Sequence, residues 1–297
     1  MGRLSNVIAE KMISRMYRMM DIINDDIDFS KISVNDGLKY SIINDPYFKL
    51  VKTGKSSFEV VVENERIIAE AIICDFALSH QRRNIQNQKL LNMNPIKKDV
   101  SPAWEIITSY YSAFFCATDI SRILNMVNLN LTSEEVSLVE RKAGFEHEEL
   151  KGLNGFSGVV SAGFGKINFH YTKSKPHQYA WTNLKSCLKT VFGKKEHWPE
   201  VNVLLSILSG ENGWEYPSSI RNEWNYIDPH LYGSKGVEMG KEFLKLSSNP
   251  SSSEGWLMSN FIWKGKSSSA ASIGVLSDVL YKASDEAYKQ FFSHGND

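Results

Sequence analysis

Ser101 to Leu124, SPAWEIITSYYSAFFCATDISRIL, is the longest run in the chain whose start signal, periodicity and composition agree. Ser101 can cap a helix and Pro102 suits its first position, after which Trp104, Ile107, Tyr111, Phe114, Phe115 and Thr118 recur at three- and four-residue spacing. The pattern predicts a core helix with that aromatic stripe turned inward. Ser112, Ala113, Cys116 and Ala117 lie on its other side, where small side chains let a second helix approach closely. The expected fold class is mainly α: a helical bundle over residues 101–297 built around this helix. A small β-hairpin insertion near 157–173 and an N-terminal helical extension over residues 1–100 complete it.

Bulk composition limits the function classes. The 297 residues are 42% apolar, enough for a packed interior, and 34 basic residues balance 34 acidic ones. A chain of zero formal charge has no global field to gather nucleic acid or an anionic membrane, so any such contact needs a local patch. Three cysteines without a C-x-x-C neighbour fit a reducing compartment. Without an apolar run long enough to span a bilayer, the expectation is a cytoplasmic protein with no membrane partner.

Around the central stretch, residues 5–27 place Ile8, Met12, Met16, Met19, Ile23 and Ile27 on one helical face. At this spacing a methionine stripe reads as core; the rival reading is an adaptable docking surface for a larger assembly. Asp25, Asp26 and Asp28 lack the alternating oxygens and sixth-position glycine of a calcium loop. A helix is expected from about Phe58 to Ser79, although SFEVVVE at its start is rich enough in β-branched residues to be a strand. A polar stretch then runs through a frayed helix end and a linker to Pro95. Helices are expected over 128–143, 176–192, 198–209 and 269–292, and a flexible loop over 247–254. GVVSAGFGKINFHYTK reads as two strands turning near Ala162 to Gly165.

Several familiar chemistries are excluded. Gly54-Lys55-Ser56 and Gly265-Lys266-Ser267 imitate the end of a phosphate-binding loop, but Lys49 and Asn260 stand where the earlier glycine is required. No H-E-x-x-H or paired-cysteine pattern suggests a metal site, and Glu146-His147-Glu148-Glu149 reads as a solvated charge run. No cofactor is expected. The one strongly basic block, residues 151–200, interleaves Lys166, Lys173 and Lys175 with Phe169 and Tyr171. Charge alternating with flat rings is how proteins hold single-stranded RNA, and exposed lysines on a hairpin equally serve solubility.

Tyr110-Tyr111-Ser112-Ala113-Phe114-Phe115-Cys116-Ala117, taken with Arg221-Asn222 in SSIRNEWNYI, resembles the HEPN superfamily. In these helical bundles a YYxAFFxA-type helix packs beside one bearing R-polar-x(3 to 5)-His, and the likeness covers roughly residues 101–297. The resemblance implies a metal-independent endoribonuclease, a homodimer joining two motifs in a composite site, and a place in a bacterial toxin or antiviral defence system. It places Arg221, Asn222 and Tyr226, or His230 in place of Tyr226, in the catalytic roles. Cleavage through the RNA 2′-hydroxyl needs a base, an acid and a cation for the phosphorane. Arg221 can supply the cation through its fork of donors and Asn222 can orient the phosphate. The histidine window holds Tyr226, Ile227 and Asp228 instead, and a phenol with an ordinary pKa of about 10 is a poor base at neutral pH. His230 lies beyond Pro229. The alternative is a catalytically inactive HEPN-like interaction or regulatory module within a larger assembly, with Arg221 bridging a carboxylate such as Glu223 or Glu105.

Overall fold

A computed structural model of the chain describes residues 2–24, 27–28, 31–93, 101–173, 175–249, 252–260 and 266–292. Asp25, Asp26, Pro95, Gly265 and residues 250–251 of the expected loop lie outside them. The protein is mainly α. In chain order the elements are α1 (Arg3–Ile23), α2 (Leu38–Asn44), β1 (Lys49–Gly54), β2 (Ser57–Val61), α3 (Arg66–Met93), α4 (Ala103–Ile123), β3 (Met126–Asn130) and α5 (Ser133–Ala143). There follow β4 (Gly155–Val160), β5 (Lys166–Tyr171), α6 (Pro176–Phe192), α7 (Pro199–Ser209), α8 (Pro217–Asn222), α9 (Ser234–Met239), α10 (Lys241–Ser247), α11 (Ser253–Ser259) and α12 (Lys266–Phe292).

The chain divides into two compact bodies, each built from more than one segment. One, here the helical body, is Met1–Lys11, Gln81–Ala117 and Trp181–Asp297; the other, the sheet body, is Met12–His80 and Thr118–Ala180. The sheet is more than an inserted hairpin. Its five strands run antiparallel in the order β1-β2-β5-β4-β3, so Ser57–Val61, placed by sequence in a separate extension, pair with β5, and β1 joins the sheet through β2. SFEVVVE is therefore a strand, and the helix beyond it begins only at Arg66. The helix expected over 128–143 begins only after Thr132, and the first of those residues belong to the edge strand β3.

Inside the sheet body Phe58 lies 5.1 Å from Phe169, stacked, and 5.2 Å from Phe156, edge to face. Gly158 sits opposite Phe169 in the register of β4 and β5. A Cβ added there would stand 2.5 Å from Phe169 Cε1, and the ring cannot retreat because Phe58 is stacked against it. The glycine is what lets the ring lie flat across the strand. Gly158→Ala is expected to cost about 1–3 kcal/mol by overpacking, read as a lower midpoint in urea unfolding.

In the helical body Glu254 caps α1, accepting from the backbone N–H of Arg3 at 2.7 Å and of Leu4 at 2.8 Å. A carboxylate there answers both the orphan donors and the positive end of the helix. Along α1, Ile8 in the helical body and Met12, Met16, Met19 and Ile23 in the sheet body are buried, which removes the docking surface considered above. Trp256 donates its indole N–H to Glu242 at 2.7 Å and packs edge to face on Trp214 at 5.7 Å.

The central helix buries the side that carries its small residues, where close approach of another helix is expected, and only part of its aromatic stripe. Ala103, Ile106, Tyr110, Ala113, Cys116 and Ala117 are buried, whereas Trp104 is 58% and Phe115 39% exposed. Small side chains allow close helix contact, and on a helix apolar nearly all round that advantage outweighs ring area. Of the stripe, Ile107 is buried, Tyr111 and Phe114 are half-buried, and Trp104 and Phe115 present their rings to solvent.

Candidate functional site

Arg221 stands in the last turn of α8, whose first residue, Pro217, has the preset backbone angle of a helix start. Immediately after it the helix widens. Glu223–Ile227 form a π turn, closed by the Asp228 N–H donating to the Glu223 carbonyl at 3.3 Å. In a regular α-helix the fifth residue onward lies about 140° round the axis. The wider turn brings Tyr226 back over Arg221, with the guanidinium carbon 5.9 Å from the ring centroid. Such turns recur at functional sites because they re-aim a side chain at little cost in backbone bonding. Trp224, on the inner side, is buried and anchors the segment.

Two further rings come from α4: the Arg221 guanidinium carbon lies 5.5 Å from the Tyr110 centroid and 5.6 Å from that of Tyr111. The cation faces electron-rich rings on three sides. Tyr110 is the fixed part of this arrangement. Its hydroxyl accepts from the indole N–H of Trp181 at 3.4 Å and lies within reach of the Arg221 guanidinium, and burial pushes its pKa up to about 12. Among the described residues no carboxylate pairs with Arg221, so neither Glu223 nor Glu105 is the bridge expected of a purely structural arginine. Its Nε is buried without an acceptor, while the side chain as a whole remains half-buried. An arginine so placed keeps part of its fork available to an anion that arrives from solvent.

Comparison of the chain with protein-family models, curated proteins and solved structures finds no match.

Of the four residues assigned catalytic roles by resemblance, Arg221 and Tyr226 are brought together. Asn222 ends α8 half-buried beside them. His230 is exposed on the 3-10 turn Pro229–Tyr232, its backbone N–H bonded to Asp228 Oδ1 at 3.0 Å. Asp228 pairs with Lys235 at 2.7 Å, a hydrogen bond that holds its carboxyl below the usual range. The turn is tied to the start of α4, where Ser101 Oγ donates to the Leu231 carbonyl at 2.9 Å.

The RNA-contact residues belong to the sheet body. Phe169 cannot present a face to a base, because it is buried and stacked on Phe58. Lys166 is paired with Glu59 at 2.8 Å, and Tyr171 is half-buried against Phe156, whereas Lys173 and Lys175 are exposed. The alternation that suggested a binding stripe is thus largely that of a strand with one inward face. Sequence reading missed the approach of Tyr110 and Tyr111 to Arg221, although both residues carry the family likeness, because spacing within one helix does not show which residue of another packs on it.

Other polar features are accounted for structurally. A cavity of about 450 Å³ in the sheet body is lined by Asp28, Asp36, Asp45, Glu70 and Cys74 among others. Asp28 pairs with Lys31, Asp36 caps through Ser33, Asp45 accepts from Tyr47, and burial pushes the Cys74 thiol up to about 12, away from a reactive thiolate. No group of three His, Cys, Asp or Glu among the described residues is arranged to hold a metal ion, and no helix among them is long and apolar enough to cross a membrane.

Glu105, on α4, is a half-buried carboxylate with no cation or donor among the described residues, and burial pushes its pKa up. A raised folded-state pKa means the folded protein binds the proton more tightly than the unfolded chain, so stability falls as pH rises through that window. Glu105→Gln is therefore expected to stabilise the protein at pH 7. The gain should vanish below about pH 4, where the carboxyl is protonated in both states, and thermal unfolding at the two pH values reads it.

Proposed function

We propose that the protein is an RNA-directed member of the HEPN-like kind, with Arg221 the group that meets a backbone phosphate. The observation that carries this reading is the presentation of Arg221 beside three tyrosine rings with no carboxylate paired to it among the described residues. A structural arginine ordinarily answers its charge with an acid, and one held by ring faces leaves that role to a ligand. In the cleaving version of the proposal Asn222 orients the phosphate, Tyr226 or His230 moves the proton, and a second copy of the chain brings a second set to a composite site. The biological setting is a toxin or antiviral defence module of the cytoplasm.

A second reading is favoured by the apolar surface beside the site. Tyr226 is 71% and Ile227 70% exposed, more than a solvent-facing turn needs. A catalytically inactive module that docks a protein partner would use them.

Purified protein incubated with labelled single-stranded RNA in a metal chelator tests the proposal. Wild type is expected to bind, and Arg221→Ala to bind about tenfold or more weakly, as loss of a charged hydrogen bond implies. New termini that Arg221→Ala abolishes support the nuclease; binding without cleavage supports an inactive RNA-directed form. A wild-type chain that ignores RNA and captures one protein stoichiometrically, with Arg221→Ala unimpaired, supports the second reading and overturns the first.

A further inference from the structure

From the exposure and aim of Tyr226 we infer that the site takes single-stranded RNA with one base stacked on the open face of Tyr226 while a neighbouring phosphate meets Arg221. The inference rests on the RNA-directed reading of Arg221 and names the substrate class and the specificity residue of that site. Tyr226 occupies the histidine's place in the motif, and its surroundings suit a platform better than a proton carrier. Its hydroxyl has no hydrogen-bond partner among the described residues, so nothing orients it for transfer. Its ring is oriented: one face is turned to the Arg221 guanidinium at 5.9 Å and the side chain is otherwise 71% exposed.

That pairing is fixed by the backbone. The π turn over Glu223–Ile227 sets the ring over the cation, and buried Trp224 within it holds the turn in place. A paired base offers its edge to the groove and keeps its face inside the stack, so a ring platform selects unpaired strands. Ring stacking also tolerates any base, which predicts recognition by strandedness with little preference for sequence.

Fluorescence anisotropy with a short fluorescein-labelled oligouridine, alone and annealed to oligoadenosine, tests this in a metal chelator. Because the Tyr226 ring is exposed, Tyr226→Ala should leave the circular dichroism spectrum unchanged. Wild type is expected to bind the single strand more tightly than the duplex. Tyr226→Ala should weaken single-strand binding about tenfold or more, and Tyr226→Phe, which keeps the face and loses the hydroxyl, should bind as wild type. Equal binding of single strand and duplex, no loss in Tyr226→Ala, or the same loss in Tyr226→Phe overturns the stacking role. If Arg221→Ala still loses affinity in those cases, the RNA-directed reading survives without it. Failure of wild type to bind either probe overturns both.

Discussion

Arg122→Ala is expected to destabilise the sheet body by about 3 kcal/mol, at the lower end of what removing one partner of a buried ion pair costs. Arg122, in the last turn of α4, forms an ion pair through Nη1 with Asp75 Oδ2 at 3.0 Å and stands 3.9 Å from Asp119 Oδ1. Asp119 is almost completely enclosed, and Asp75 also accepts from the Leu38 N–H at 3.1 Å, holding the start of α2. Alanine removes this cation from beside Asp75 and Asp119, and the penalty is that of the charge left less compensated more than of the lost contact. Urea unfolding measures it. Adding Asp75→Asn to Arg122→Ala should recover part of the loss, since one of the stranded charges is then removed.

Trp181→Ala is expected to cost the helical body about 3–5 kcal/mol, the usual consequence of emptying a fully buried aromatic site. Trp181 lies 5.8 Å from the Tyr110 ring and 6.2 Å from that of Phe114, both edge to face. Its indole N–H also addresses the Tyr110 hydroxyl that backs Arg221. The substitution should therefore weaken RNA binding at temperatures where the chain is still folded. Trp181→Phe keeps most of the volume and loses only the indole donor, so its stability loss should be well under half as large while the effect on RNA persists. Parallel denaturation and binding measurements on the two variants separate packing from positioning.

Features with local causes were legible in the sequence. Thr132 and Glu135 form a reciprocal capping box at the start of α5, Pro199 opens α7, and Gly210, with φ of +66°, closes it. The turn between β4 and β5 falls at the glycines that suggested it. Features with distant causes were not. Phe58 pairs in register with Phe169 across more than a hundred residues, and no periodicity within either segment encodes that partnership. The same limit applies to α4: with apolar residues on most of its sides, only the neighbours decide that Trp104 and Phe115 of its stripe stay exposed. At the site, Arg221 was found by its motif, but its tyrosine enclosure depends on a packing of α4 against α8 and on a π turn that residue types do not announce.

The claim on which the functional account rests is that Arg221 answers a phosphate and not a neighbouring side chain. Its most direct test is the salt dependence of single-stranded RNA binding by wild type and Arg221→Ala, both confirmed as folded. Each phosphate contact contributes about −0.7 to the slope of log K against log salt for a single strand. The account predicts weaker binding by the variant and a slope shallower by about that amount. Coincident lines for the two proteins at every salt concentration would contradict it.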